Sequence, residues 1–288
     1  IKLEDADLKR RSQMKPFKIG AAMPISEVEN HKPWLFDDER DLELQDFVSN
    51  EIYINEDWKN IAQTAKKKLK GFNGRLGVHG PFWGLDFSCF DSEVAKVISK
   101  RLCQGVEAAA ETGAIQMVMH SPFDNWHEFN RFNIYNGKRA LEQVFDVVAR
   151  IISPALKIAE NEGVELVMEN IKDINPQTRR QLVESIESNS LKLSIDTGHA
   201  HIAGLASKAP PVDIFVEDAG NLLKHVHIQD GDGYADRHQA PGNGTINWHS
   251  VFQSLSFLES NPHLILELKN YGEIPIAFSY LSERGLAF

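Results

Sequence analysis

The stretch Leu191-Lys192-Leu193-Ser194-Ile195-Asp196, running into Thr197-Gly198-His199, decides how this chain folds. Side chains alternate across a β-strand, so Leu191, Leu193 and Ile195 share one face, suited to a covering layer of helices. Asp196 closes the opposite face at the carboxyl end. Strands of a parallel sheet are covered on both sides and read as nearly continuous apolar runs, so a carboxylate on the inner face calls for a chemical reason.

The same phase recurs along the chain. His79 stands opposite Leu76 and Val78, His120 opposite Met117 and Met119, and Glu169 opposite Leu166 and Met168. His227 stands opposite Val226 and Ile228, and Glu267 opposite Leu266 and Leu268. Six strands thus bring His79, His120, Glu169, Asp196, His227 and Glu267 to one rim. The carboxyl-terminal rim is where parallel barrels build their sites.

Reading outward, eight short apolar runs are expected as strands near 17–22, 42–47, 75–80, 115–120, 164–170, 191–196, 223–229 and 263–268. Between them, helices are expected over 57–71, 91–113, 139–162 and 176–188. Asp91, Asn175 and Asn247 are placed to start helices, and Gly113 and Gly163 to end them. This alternation predicts an α/β chain with one (β/α)8 TIM barrel domain over 14–288 and a mobile polar extension over 1–13. A doubly wound sheet is the competing arrangement. Residues 24–41 and 203–220 show the weakest helical period.

Composition narrows the function. The 288 residues, 42% hydrophobic and 25% charged, suffice for one large core. The formal net charge of −10 argues against nucleic acid as a partner, because phosphate binding needs a basic footprint. Two cysteines, Cys89 and Cys103, make neither a disulfide framework nor a thiolate metal site. No apolar run spans a bilayer and the start is charged, so a cytoplasmic protein without membrane contact is expected.

Imidazoles and carboxylates without thiolates suit a divalent metal such as Mn, Zn, Co, Fe or Mg. Two loops add donors of the same kind: Asp196-Thr197-Gly198-His199-Ala200-His201, and Asp230-Gly231-Asp232-Gly233-Tyr234-Ala235-Asp236-Arg237-His238, which leads into Pro241-Gly242-Asn243-Gly244. His199, Asp236 and His238 extend the candidate ligand set; His201 is left undecided. His225 is expected one layer below His227 as a supporting or packing residue. His31, His127, His249 and His263 have no such context.

The fragments Gly77-Val78-His79-Gly80-Pro81-Phe82, Val118-Met119-His120-Ser121-Pro122, Val167-Met168-Glu169-Asn170, Ile195-Asp196-Thr197-Gly198-His199, His225-Val226-His227-Ile228-Gln229-Asp230, Asp236-Arg237-His238 and Leu266-Glu267 occur in a characteristic order. In this the chain resembles the xylose isomerase-like TIM barrel superfamily, which holds sugar phosphate isomerases and epimerases together with AP endonuclease family 2, the endonuclease IV type. The resemblance runs from about residue 75 to 268. It implies an epimerase-type metal quartet of Glu169, Asp196, His227 and Glu267. The trinuclear endonuclease pattern adds His79, His120, His199, Asp236 and His238, so that one to three ions are to be expected.

The resulting expectation is a metal-dependent isomerase or epimerase of carbohydrate metabolism, acting on a small sugar, polyol or sugar phosphate. Glu169 and Glu267 would be its catalytic bases, and Trp83, Trp126, His199 and Arg237 its substrate contacts. A multinuclear phosphoester hydrolase is the alternative, and a barrel that binds metal or sugar without catalysis is a third. The DNA-handling segments of the nuclease are not recognisable near 23–55, where Glu27, Glu29, Asp37, Asp38 and Glu39 make the chain acidic. The aromatic segment from Phe123 to Tyr135 is too long for a minimal connection. It reads either as a lid over substrate or as a self-packed surface cluster. A homo-oligomer is compatible with the sequence.

Overall fold

The computed structural model describes residues 15–288; the expected extension over 1–13 lies outside the described residues. Eight parallel strands close into a barrel: β1 (Gly20–Met23), β2 (Leu42–Leu44), β3 (Leu76–His79), β4 (Gln116–His120), β5 (Glu165–Glu169), β6 (Leu191–Asp196), β7 (Leu223–Ile228) and β8 (His263–Leu266). Each pairs with its sequence neighbours, and β8 closes the ring on β1 through Gly20 opposite Ile265 and Ala21 opposite Leu266. This closure excludes the doubly wound sheet.

The main covering helices are α1 (Trp58–Lys68), α2 (Ser92–Thr112), α3 (Ala140–Glu162), α4 (Pro176–Ile186), α5 (Thr197–Ser207), α6 (Val212–Ala219), α7 (Trp248–Leu255) and α8 (Ile274–Ser282). Local chemistry sets their ends. The Asp91 carboxylate accepts from the amides of Glu93 and Val94, Asn175 accepts from Gln177, and Asn247 accepts from Ser250. These bonds satisfy amides that a helix start leaves without partners. Gly113 and Gly163 end α2 and α3 at φ 86° and 70°, left-handed values that glycine reaches without a steric cost.

The two stretches with weak helical period take different forms. Residues 24–41 carry only a 3-10 turn, Val28–His31, and a five-residue helix, Lys32–Phe36. The stretch over 203–220 is the end of α5 and the whole of α6, separated where Lys208 turns left-handed (φ 59°) ahead of Pro210 and Pro211. Phe17, expected to open the first strand, instead bridges to Ala287 near the carboxyl terminus.

Strand residues are buried on both faces. Leu191, Leu193 and Ile195 lie in the core beneath the helices, while Ser194 and Asp196 are equally buried on the inner side. The barrel interior is therefore partly polar, and that polarity is concentrated on β2 and on β3 to β8. No helix among the described residues is long and apolar enough to cross a membrane.

Candidate metal centre

Strand register fixes which donors are neighbours. His120 pairs with Glu169 across β4 and β5, and Asp196 pairs with His227 across β6 and β7. Glu267 follows β8 immediately, its amide donating to Ile228 O at 3.2 Å. Asp196 both ends β6 and caps α5, accepting from the His199 amide at 2.6 Å. A residue that must stop a strand and start a helix is held rigidly, and so is the His199 that follows in the first turn.

Nine donors gather in three groups, each with ligand atoms within 4.8 Å of one another: His79, His120 and Glu169; Glu169, Asp196, His227 and Glu267; and His199, Asp236 and His238. Glu169 belongs to two of them. All nine candidate ligands named from the sequence therefore share one rim, and His201 turns away to bond Thr245 Oγ1 at 2.7 Å.

Hydrogen bonds select which imidazole nitrogen faces the centre. His79 donates from Nδ1 to Gly80 O (2.9 Å), His199 from Nδ1 to Asn170 O (3.0 Å), and His238 from Nδ1 to Glu267 O (3.2 Å). A carbonyl can only accept, so the neutral ring in each case presents an Nε2 lone pair. His227 is the reverse: its Nε2 faces Glu43 Oε1 at 3.0 Å, and its Nδ1 faces Glu169 Oε1 at 3.0 Å and Glu267 Oε2 at 3.5 Å.

The donor set fits a divalent cation. Among the described residues Glu169 Oε2 is buried without a hydrogen-bond partner, yet His79 Nε2 and His120 Nε2 face it from 3.6 and 3.8 Å. His199 Nε2 lies 3.4 Å from Asp236 Oδ2. Two donors about 2.1 Å from one tetrahedral ion stand roughly 3.4 Å apart, longer than a good hydrogen bond. An unpartnered buried carboxylate oxygen is otherwise expensive.

Electrostatics divide these groups. Burial pushes Glu169 up, but the effects led by the His227 charge outweigh it and hold the carboxyl well below its usual range. Burial, the leading effect, raises Glu267. Burial opposes charge on His199 and His227, yet carboxylates around them hold both well above the ordinary imidazole value; Asp196 leads at His199 and Glu267 at His227. His238 is pushed up to about 9 against its burial by Asp236 and Glu267, whereas burial takes His120 down to about 3.

Several site residues escaped the sequence reading. Glu43 on β2 touches His227 from below, and its Oε2 lies 3.0 Å from His225 Nε2. The pattern Leu42-Glu43-Leu44 carries the same alternation as the other strands and could have disclosed it. Gln45 donates to Glu267 Oε1 at 2.8 Å. Gln229 donates to Asp196 and Asp236 and accepts from the His238 amide at 3.0 Å. Asp230 gathers the loop that carries Asp236 and His238, accepting from the amides of Gly231, Gly242 and Ile246 and from Trp248 Nε1.

A cavity of about 570 Å³ opens above the donors, walled by Pro24, Phe82, Trp83, Ile171 and Tyr271 and floored by His79, His120, Glu169 and Glu267. Trp126 lines a neighbouring cavity of about 320 Å³ that meets the first at His199 and Ile171. Arg237 lines neither of these cavities, and Asp232 holds its guanidinium at 2.9 Å on the surface. The aromatic segment forms a helix, Asn125–Asn130, and a two-stranded ribbon with Trp126, Phe129, Phe132 and Ile134 exposed.

The profile of the family described as xylose isomerase-like TIM barrel matches residues 42–285. MJ1311, an uncharacterised protein of Methanocaldococcus jannaschii, is 26% identical over 204 residues, which are 67% of this chain and 64% of that protein. The chain thus spans somewhat less than two thirds of that relative's length. Among solved structures, a D-tagatose 3-epimerase-like protein superposes with a TM-score of 0.74 at 22% identity, covering 93% of this chain and 96% of that one. The TTHB071 protein from Thermus thermophilus, soaked with ZnCl2, superposes with a TM-score of 0.69 at 26% identity over 93% and 97%.

Proposed function

Because this chain belongs to the xylose isomerase-like TIM barrel family, we propose that it is a divalent-metal-dependent isomerase or epimerase acting on a small sugar, polyol or sugar phosphate. One observation carries this reading. Glu169 and Glu267 approach the His227 imidazole from β5 and β8, at 3.0 and 3.5 Å, beneath a cavity of about 570 Å³. That volume falls in the range of small-molecule sites. The solved D-tagatose 3-epimerase-like protein, with the same fold, supports the choice of chemistry.

Glu169, Asp196, His227 and Glu267 would hold the ion; when bound, it polarises a substrate carbonyl and accepts a neighbouring hydroxyl oxygen. The chain's own residues supply the rest. Each glutamate has two oxygens, so one can stay on the ion while the other takes or returns a proton at the substrate carbon beside the carbonyl. Gln45 fixes Glu267 through Oε1 and leaves Oε2 on the side of His227. Phe82, Trp83 and Tyr271 shield the reacting carbon from water. Two carboxylates on different strands can serve opposite faces of one carbon, which permits inversion or carbonyl migration.

The test is proton exchange. Metal-loaded protein incubated in D2O with a panel of ketoses, aldoses and their phosphates should wash deuterium into a carbon adjacent to the carbonyl of its substrate. A specific observation favours a second reading: the His199, Asp236 and His238 group and the His79, His120 and Glu169 group provide for more than one ion, as a multinuclear phosphoester hydrolase requires. Release of inorganic phosphate without deuterium exchange would replace the first reading with the second.

A further inference from the structure

We propose that Glu43 is a positioning residue that fixes the orientation and tautomer of His227, and so tunes how the quartet above it holds a cation; this rests on the metal-dependent reading above. Glu43 lies a layer below the rim, opposite Gly77 in the β2–β3 register while His79 stands two residues further on. It is buried, and its carboxylate reaches across the barrel interior to β7. Oε1 faces His227 Nε2 at 3.0 Å. Oε2 lies 3.0 Å from His225 Nε2, out of line for a full hydrogen bond. His225 is held in turn through Nδ1 by Ser194 Oγ at 2.8 Å.

The chemistry of this column is restrictive. A carboxylate only accepts, so the bond to Glu43 keeps a hydrogen on His227 Nε2. Nδ1 faces upward, where Glu169 and Glu267 converge, and with a cation among them it would give up its own hydrogen and offer a lone pair. His79, His199 and His238 achieve the opposite tautomer with backbone carbonyls. His227 is the penultimate residue of β7, and its Nε2 points into the barrel at Glu43 Oε1, so a side chain plays that part here. Carboxylates that hold a ligating imidazole in this way typically contribute about 10- to 100-fold to metal affinity or activity.

The probe is Co²⁺ alone, titrated into metal-free protein against a chromophoric chelator, with the visible absorption of the bound ion recorded. Glu43→Leu should weaken binding by about 10- to 100-fold and change the absorption bands. Glu43→Gln keeps an oxygen for His227 Nε2 and should restore affinity to within a few-fold of the parent. Melting of the metal-free proteins separates loss of fold from loss of site. Should Glu43→Leu not fold, Glu43→Gln with Ser194→Ala serves instead: the first should stay near the parent, and the second should lose several-fold as His225 is freed. Parent-like affinity and spectrum in Glu43→Leu, or equal losses in Leu and Gln, would overturn the inference while leaving the metal-dependent reading intact. A parent protein that takes up no cobalt would overturn both.

Discussion

Gln229 Nε2 stands 3.0 Å from Asp236 Oδ1 and also reaches the two carboxylate oxygens of Asp196, at 3.2 and 3.3 Å. One buried amide therefore ties the quartet to the His199, Asp236 and His238 group. Its Oε1 holds the His238 amide, whose residue adopts a left-handed backbone (φ 48°). Gln229→Leu is expected to leave the quartet loaded while weakening the second group about 10- to 100-fold. Elemental analysis after graded chelation checks this; unchanged stoichiometry and affinity would refute the tie.

Glu169→Gln and Glu267→Gln should each cut turnover by about 10²- to 10⁴-fold, the usual loss of a general acid or base. Metal content must be measured beside kcat, because both residues stand in the proposed quartet. If either variant, fully loaded, still exchanged solvent deuterium into substrate at the parent rate, that glutamate would not be a base.

Stability should depend on pH through His263 at the amino-terminal end of β8. Burial, followed by the nearby Arg75 charge, takes its pKa down to about 2. A histidine whose folded value lies below its unfolded value, about 6.5, contributes full stability above that pH. The contribution falls as pH drops below about 6.5, by about 1.4 kcal/mol per unit, towards the folded value. Denaturant unfolding at pH 7.5, 6 and 5 should therefore show a shallower decline for His263→Leu than for the parent. Parallel slopes would show that His263 is not held neutral.

Arg179 lies fully buried on α4, donating to Met168 O at 2.8 Å and to Ser194 O, with Asp173 Oδ1 3.5 Å from its Nε. Asp173 in turn accepts from Ser121 Oγ and the Ile171 amide beside Glu169. Arg179→Leu should cost about 3–5 kcal/mol by stranding a buried carboxylate. Adding Asp173→Asn should recover part of it, and thermal melting of the single and double variants would show an additive loss if the two residues act independently.

Local spacing in the chain placed the polar rim on parallel strands, while the closure of β8 on β1 is what excludes a doubly wound sheet. Period-two alternation places Asp196, His227 and their counterparts on the inner face, and parallel strands demand a reason for any polar residue there. Such alternation is set by local spacing alone. Local sequence also located the helix starts at Asp91, Asn175 and Asn247, because capping is settled within three residues. Pairing between distant parts of the chain came only with the folded barrel. Glu43 meets His227 across 184 residues of chain, and Gln45 meets Glu267 across 222. Arg237 sits beside two candidate ligands in sequence, yet it leaves the site because Asp232, five residues away, captures it at the surface. Sequence spacing fixes the face on which a side chain emerges; closure of the barrel fixes what that side chain meets, through contacts whose partners lie far apart along the chain.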